Sequence, residues 1–326
     1  MNSINSLNIS LNRTLLLTIG LWPYQQSKLV RVQLIIFFGI LTTFILFQFT
    51  IFLTSNCTLD LLINVLSSTL FYIVLIIKYG SFSINVKVIK DLLEQIQYIY
   101  NELSNDEIDI MKRYGCNAKR YTITLLLLVI FVTCVFILYP FWPLLSDILF
   151  PINETRPLSL LFITEYFVDQ EKYYYLIVIH TNAATFIGAV AMLATGTMLI
   201  FYQLLACGMF RIARITCSYR FEQAMTIDTL HKNSLEKKIL IYKGLICGVD
   251  MHRKAMKFSD LSVSRFKVMF FLMIITGVIC TAINYFLIQH SMVQCSSTNS
   301  EDDIVSLAKR QQDFQFKYCW INCWIF

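Results

Sequence analysis

Charge is what this sequence has least of. Only 15% of its 326 residues are Asp, Glu, Lys or Arg, against about 25% in an average soluble domain. The shortage is not spread evenly. Residues 32–59, 61–77, 121–146, 173–210 and 268–300 contain no charged side chain, and 56% of the chain is hydrophobic. A helix crosses the hydrocarbon of a bilayer in about 20 mostly apolar residues, so each run holds one span. That excludes a water-soluble fold and gives an all-α class, a polytopic membrane helix bundle with helices at about 34–54, 61–78, 121–142, 173–206 and 267–289. The second run is short, and Lys78 at its end is expected to extend its stem and snorkel to the interface.

Signatures of catalysis are missing too. There is no Gly-rich phosphate loop, no H-E-x-x-H and no G-x-S-x-G elbow, which argues against an enzyme. The ten cysteines lack zinc spacing: Cys319 and Cys323 form a CxxxC pair without a nearby His, and Cys116, Cys134, Cys207, Cys217, Cys247 and Cys280 are scattered. Isolated Cys in apolar segments is core packing, so neither metal nor cofactor is expected. Cys57 and Cys295 could pair only if both face an oxidising compartment. Apart from His180, the spans contain no charged or imidazole side chain between their ends, which argues against proton-coupled transport. No other His lies near His180 in sequence, so it reads as a hydrogen-bonded packing residue rather than a metal ligand. No cleavable signal peptide is visible in residues 1–12.

The net charge of +6 points to the membrane and not to nucleic acid, because the basic residues are segregated by loop. Arg13, Lys28 and Arg31 precede the first span. Connection 55–60 has no basic residue, 79–120 has six, 143–172 has two and 207–266 has eleven. Basic loops stay in the cytoplasm, so the amino terminus is inside and the first helix runs outward. A G-protein-coupled receptor has the opposite orientation. Sequons at Asn56 and Asn153 fall in loops expected outside, and Asn153, farther from the membrane, is the better glycosylation site of the two. Asn8 and Asn12 also head sequons but lie on the inside.

The fourth run is too long for its bilayer. Its 38 residues would span about 57 Å as a helix, against about 30 Å of hydrocarbon. Its inner end must therefore project into the cytoplasm and join connection 207–266, whose apolar residues recur at helical spacing. Thr181, Ala184, Gly188, Ala191 and Thr195 share one face of this helix. Small residues admit a close helix neighbour, or leave room for a ligand. The outer ends of the helices are rich in aromatics, and a pocket among them would suit a small, weakly polar organic molecule. The candidate ligand contacts are Phe71, Tyr72, Phe136, Tyr139, Tyr174, Ile177, Thr181 and Ala184.

Four stretches carry a resemblance: "LLLTIGLWPYQ" (15–25), "NETRPLSLLFITEYFVDQEKYYYLIVIHTNAATFIG" (153–188), "ATGTMLIFYQLLACGMFRIA" (194–213) and "HRKAMKFSDL" (252–261). Together they resemble the insect odorant receptor family, particularly the expanded set of ants, bees and wasps. The resemblance implies an odour-tuned subunit of an odorant-gated, non-selective cation channel. Its partners would be small volatile lipophilic odorants, membrane lipid and a shared co-receptor subunit in a hetero-tetramer. Its place would be the plasma membrane of olfactory sensory neurons, its ligand pocket the outer half of the membrane.

The family pattern has seven helices, of which five are expected here. The expected organisation is a cytoplasmic segment 1–33, a membrane domain 34–289 and a divergent tail 290–326 that lacks the sixth and seventh helices. The chain therefore reads as truncated at its carboxyl terminus relative to that pattern, its apolar end either an aborted sixth span or sequence read past a splice junction or frameshift. The alternative to a working receptor subunit is a non-conducting, pseudogene-like remnant that inserts in the membrane.

Overall fold

The computed structural model describes residues 7–25, 27–142, 160, 162–229 and 234–297. Of these, 87% are helical, and no strand occurs among the described residues. In chain order the helices are α1 (Ser10–Thr18), α2 (Lys28–Phe49), the short α3 (Ile51–Thr54), α4 (Leu59–Ile84), α5 (Val86–Glu102), α6 (Asn105–Leu138), α7 (Tyr174–Thr229) and α8 (Ser234–Ser297). A 3-10 turn, Tyr139–Phe141, closes α6. Five helical stretches are long and apolar enough to cross a membrane: Lys28–Thr54, Leu59–Ile84, Asn105–Phe141, Tyr174–Ser218 and Ile241–Phe286. The five helices expected from the sequence fall within them to a few residues. Asn153 and the segment beyond residue 297 lie outside the described residues.

Local chemistry sets where these helices begin. Ser27 caps α2, its hydroxyl accepting from the Val30 N–H at 3.2 Å. Thr58 does the same for α4, accepting from Leu61 N–H. At α6 the Ser104 N–H donates to the Glu107 carboxylate at 2.9 Å, the carboxylate half of a capping box. Each cap satisfies a backbone donor that the helix cannot bond itself.

The chain divides into two compact units. The first comprises Met1–Gln26, Phe82–Leu128 and Leu193–Lys267. Its core includes Leu16, Leu21 and Trp22 from the amino-terminal segment, with Ile89, Leu92, Leu93, Ile96 and Ile99 from α5. Those five α5 residues recur at three and four, so one face of an amphipathic helix is buried. Asn12 ties three segments together, donating to Thr197 O at 3.3 Å and accepting from the Thr122 hydroxyl at 3.1 Å. Lys254 pairs with Glu102 at 2.6 Å and Asp250 at 2.9 Å. The carboxyl of Glu102 is held below its usual range, first by its bond from Lys254 and then by one from Tyr98.

The second unit comprises Ser27–Ser81, Val129–Met192 and Val268–Phe326. One cluster forms its centre: Leu41 and Phe44 from α2, Phe71, Tyr72 and Leu75 from α4, Val132 and Phe136 from α6, Phe162, then Ala184, Ile187 and Met192 from α7, and Cys280 from α8. Gly188 allows α7 to approach Leu75 and Leu41 closely. Hydrogen bonds between polar side chains bridge helices in this unit, Thr69 donating to Gln48 at 2.8 Å and Ser67 to Asn284 at 3.1 Å.

The stem of Lys78 is packed: the residue is 8% exposed, with no ion-pair or hydrogen-bond partner among the described residues. The helical period explains this: Leu75 and Tyr79, also buried, flank it on the same face of α4. Cys57 is an unpaired thiol.

Candidate functional site

Of the eight residues selected as ligand contacts, four are members of the central cluster of the second unit: Phe71, Tyr72, Phe136 and Ala184. Tyr139 packs against it. The Tyr72 ring lies 4.5 Å from that of Phe44 and 5.7 Å from that of Phe162, and its hydroxyl is 3.0 Å from Thr185 Oγ1. Thr185 in turn donates to the carbonyl of Thr181 at 2.9 Å, and Thr181 is buried. Tyr174 is buried as well and donates its hydroxyl to Pro140 O at 2.7 Å, joining the start of α7 to the end of α6. Five of the eight thus belong to one packed cluster or lie against it. They form a wall.

The eighth residue, Ile177, borders open space. It lines a cavity of about 330 Å³ with Phe47, Tyr166, Val168, Tyr173, Leu176 and His180. That volume is at the lower end of the range for small-molecule sites. Its lining comes from the carboxyl-terminal end of α2, the segment before α7, and the first two turns of α7. The Phe47 and Tyr166 rings stack at 4.2 Å, and both are near His180, at 6.0 and 5.8 Å.

The polar end of the cavity is a chain of three side chains. The Tyr166 hydroxyl lies 2.8 Å from His180 Nδ1, and Nε2 lies 3.1 Å from the Thr43 hydroxyl. Burial pushes the Tyr166 phenol up to about 12, while the hydroxyls of Thr181 and Thr164, which face it, pull the other way. The backbone beside Tyr166 is constrained. Phe167 has φ 55°, the left-handed region, which costs a residue with a Cβ roughly 1–2 kcal/mol. Its N–H is held by the Glu165 carboxylate at 2.9 Å, and the turn leaves both Tyr166 and Val168 on the cavity.

The expectation that His180 is a hydrogen-bonded packing residue agrees with this geometry. Its place in a cavity wall, beside Phe47 and Tyr166, is not legible in the sequence. Phe47 is more than 100 residues from Tyr166 in sequence, and no motif links the two. The one available signal was the acidic, aromatic stretch "EYFVDQEKYYY" (165–175), which supplies Tyr166, Val168 and Tyr173. No group of three or more potential metal ligands occurs among the described residues.

Comparison with known proteins agrees with this architecture. No curated protein matches the chain significantly in sequence. Among solved structures, the chain is similar in fold to the insect olfactory receptor OR5 from Machilis hrabei. The TM-score is 0.56 at 14% identity, over 93% of this chain and 73% of that one. Residues 58–296 match the family model described as 7tm Odorant receptor. A match of that length, with five apolar helices of membrane-crossing length, makes the chain a member of the odorant receptor family and a multi-pass membrane protein.

Proposed function

We propose that the protein is the odour-tuned subunit of a ligand-gated, non-selective cation channel, acting with a co-receptor subunit in the plasma membrane of olfactory neurons. The observation that carries this reading is the cavity beside His180, set in a chain of the odorant receptor family. It is walled by aromatic and aliphatic side chains with one polar end, which is the chemistry that holds a small volatile molecule.

In this reading Ile177 touches the ligand directly, together with His180 and Tyr166. Phe71, Tyr72, Phe136, Tyr139, Tyr174, Thr181 and Ala184 form the rigid surface that the ligand site leans on and complete the ligand-binding set. The basic loops keep the amino terminus in the cytoplasm, which puts the cavity toward the outer face. Asn153 and Asn56 are then available for glycosylation; Asn56 is exposed.

The test is electrical. Cells expressing the chain with a co-receptor should show odorant-evoked cation current whose ligand spectrum differs from that of the co-receptor alone. Ile177→Trp, which fills the cavity, should cut sensitivity at least tenfold without lowering surface expression. Currents identical to those of the co-receptor alone, for every odorant in a broad panel, would contradict the proposal and favour the non-conducting remnant.

A further inference from the structure

The hydrogens at the polar end of the cavity can be assigned one by one. The Thr43 hydroxyl lies 2.8 Å from Gly39 O and 3.1 Å from Ile40 O. A carbonyl has no hydrogen to give, so the single hydroxyl hydrogen of Thr43 is spent on its own helix. His180 Nε2, 3.1 Å from the same oxygen, must therefore be the donor in that contact. Among the described residues no carboxylate pairs with the imidazole; that of Glu165, next to Tyr166, accepts from Phe167 N–H instead. In the neutral ring Nδ1 then carries a lone pair, and the Tyr166 O–H, 2.8 Å away, donates to it.

The consequence is an asymmetry. Two polar residues of the cavity wall, Tyr166 and His180, have committed every hydrogen they own. What these two leave for a ligand is the lone-pair capacity of the Tyr166 oxygen. The hydroxyls of Thr164 and Thr181 approach that phenol, but neither residue lines the cavity. A ligand hydroxyl can donate to Tyr166. A ketone oxygen at the same place would face a lone pair and leave its own hydrogen bond behind in water, and an unmade bond of that kind is costly. We infer that the cavity selects small apolar molecules bearing a hydrogen-bond donor, alcohols above all, over ketones of the same shape. This deepens the ligand-site reading above and rests on it.

The assignment makes Thr43 a positioning residue. It does not line the cavity, yet its oxygen fixes which nitrogen of His180 carries the hydrogen. In Thr43→Val the hydrogen is free to move to Nδ1 and donate to Tyr166, whose own O–H is then released toward the ligand. Ketone binding should improve at a site the substituted residue never touches.

The experiment is isothermal titration of the purified full chain in phospholipid nanodiscs with 2-heptanol and 2-heptanone. The wild-type chain should bind the alcohol about tenfold more tightly, the ratio expected for one hydrogen bond. Thr43→Val and His180→Phe should each bring that ratio to one or below, and Thr43→Ser, which keeps the oxygen, should restore it. Equal binding of both molecules to the wild-type chain, or a ratio indifferent to Thr43→Val, overturns the inference while leaving the ligand site in place. A preference that vanishes with Tyr173→Phe, the other phenol on the wall, also overturns it. Binding of neither molecule to any variant removes the ligand site itself and this inference with it.

Discussion

A methyl group added at Gly39 or Gly196 meets nothing within 4 Å, whereas one added at Gly115 lies 2.5 Å from the carbonyl oxygen of Leu7. All three glycines are inside helices, where Ala is intrinsically better by about 1 kcal/mol. Gly39→Ala and Gly196→Ala should therefore leave the melting temperature of the purified chain unchanged or raise it. Gly115→Ala must push a backbone segment away, and overpacking of that kind costs about 1–3 kcal/mol, so its melting temperature should fall. Tyr72→Phe removes one buried hydrogen bond and should destabilise by about 1 kcal/mol while leaving the aromatic packing intact. A change much above that would mean the hydroxyl does more than join Thr185. At this scale the sequence was informative about His180 and uninformative about its neighbours. A lone histidine in an apolar run can be read as satisfied, but which hydroxyls satisfy it depends on Thr43 and Tyr166, brought together only by folding.

Helices α4, α6, α7 and α8 are longer than the apolar runs that revealed them. Hydropathy reports where charge is absent; caps and backbone bonding decide where a helix ends. Thus α6 starts at Asn105, well before the first apolar residue of its run, because Ser104 and Glu107 close its first turn. The 56 residues of α7 were foreseeable in kind, since the uncharged stretch already exceeded the bilayer. The separate helix α5 was not: it carries charge on its outer face and its buried positions show only in their period. Capping makes a prediction of its own. Ser27→Ala removes the acceptor for Val30 N–H and should cost about 1 kcal/mol, with Ser27→Asp restoring stability, as followed by thermal melting of the chain in detergent. No loss in the alanine variant would show that α2 is held entirely by its membrane and cluster contacts.

For the molecule as a whole, the alternation of basic and acidic loops orients every helix at once. An amino-terminal tag should be protected from protease added to intact cells, and Asn153→Gln should abolish a glycan-dependent shift in electrophoretic mobility. A tag cleaved from outside would invert the topology and move the cavity to the wrong face. The all-helical class, the five spans and the family were legible from charge distribution and from four short stretches. The cavity was not, because its wall is assembled from α2 and from the segment leading into α7. Its reality as a ligand site is the central claim, and photoaffinity labelling tests it most directly. A diazirine-bearing aliphatic alcohol should, on irradiation with the purified chain in nanodiscs, label peptides containing Phe47 and residues 166–180, with excess 1-octanol suppressing the adducts. Adducts spread over the lipid-facing surface of the helices and insensitive to 1-octanol would contradict it.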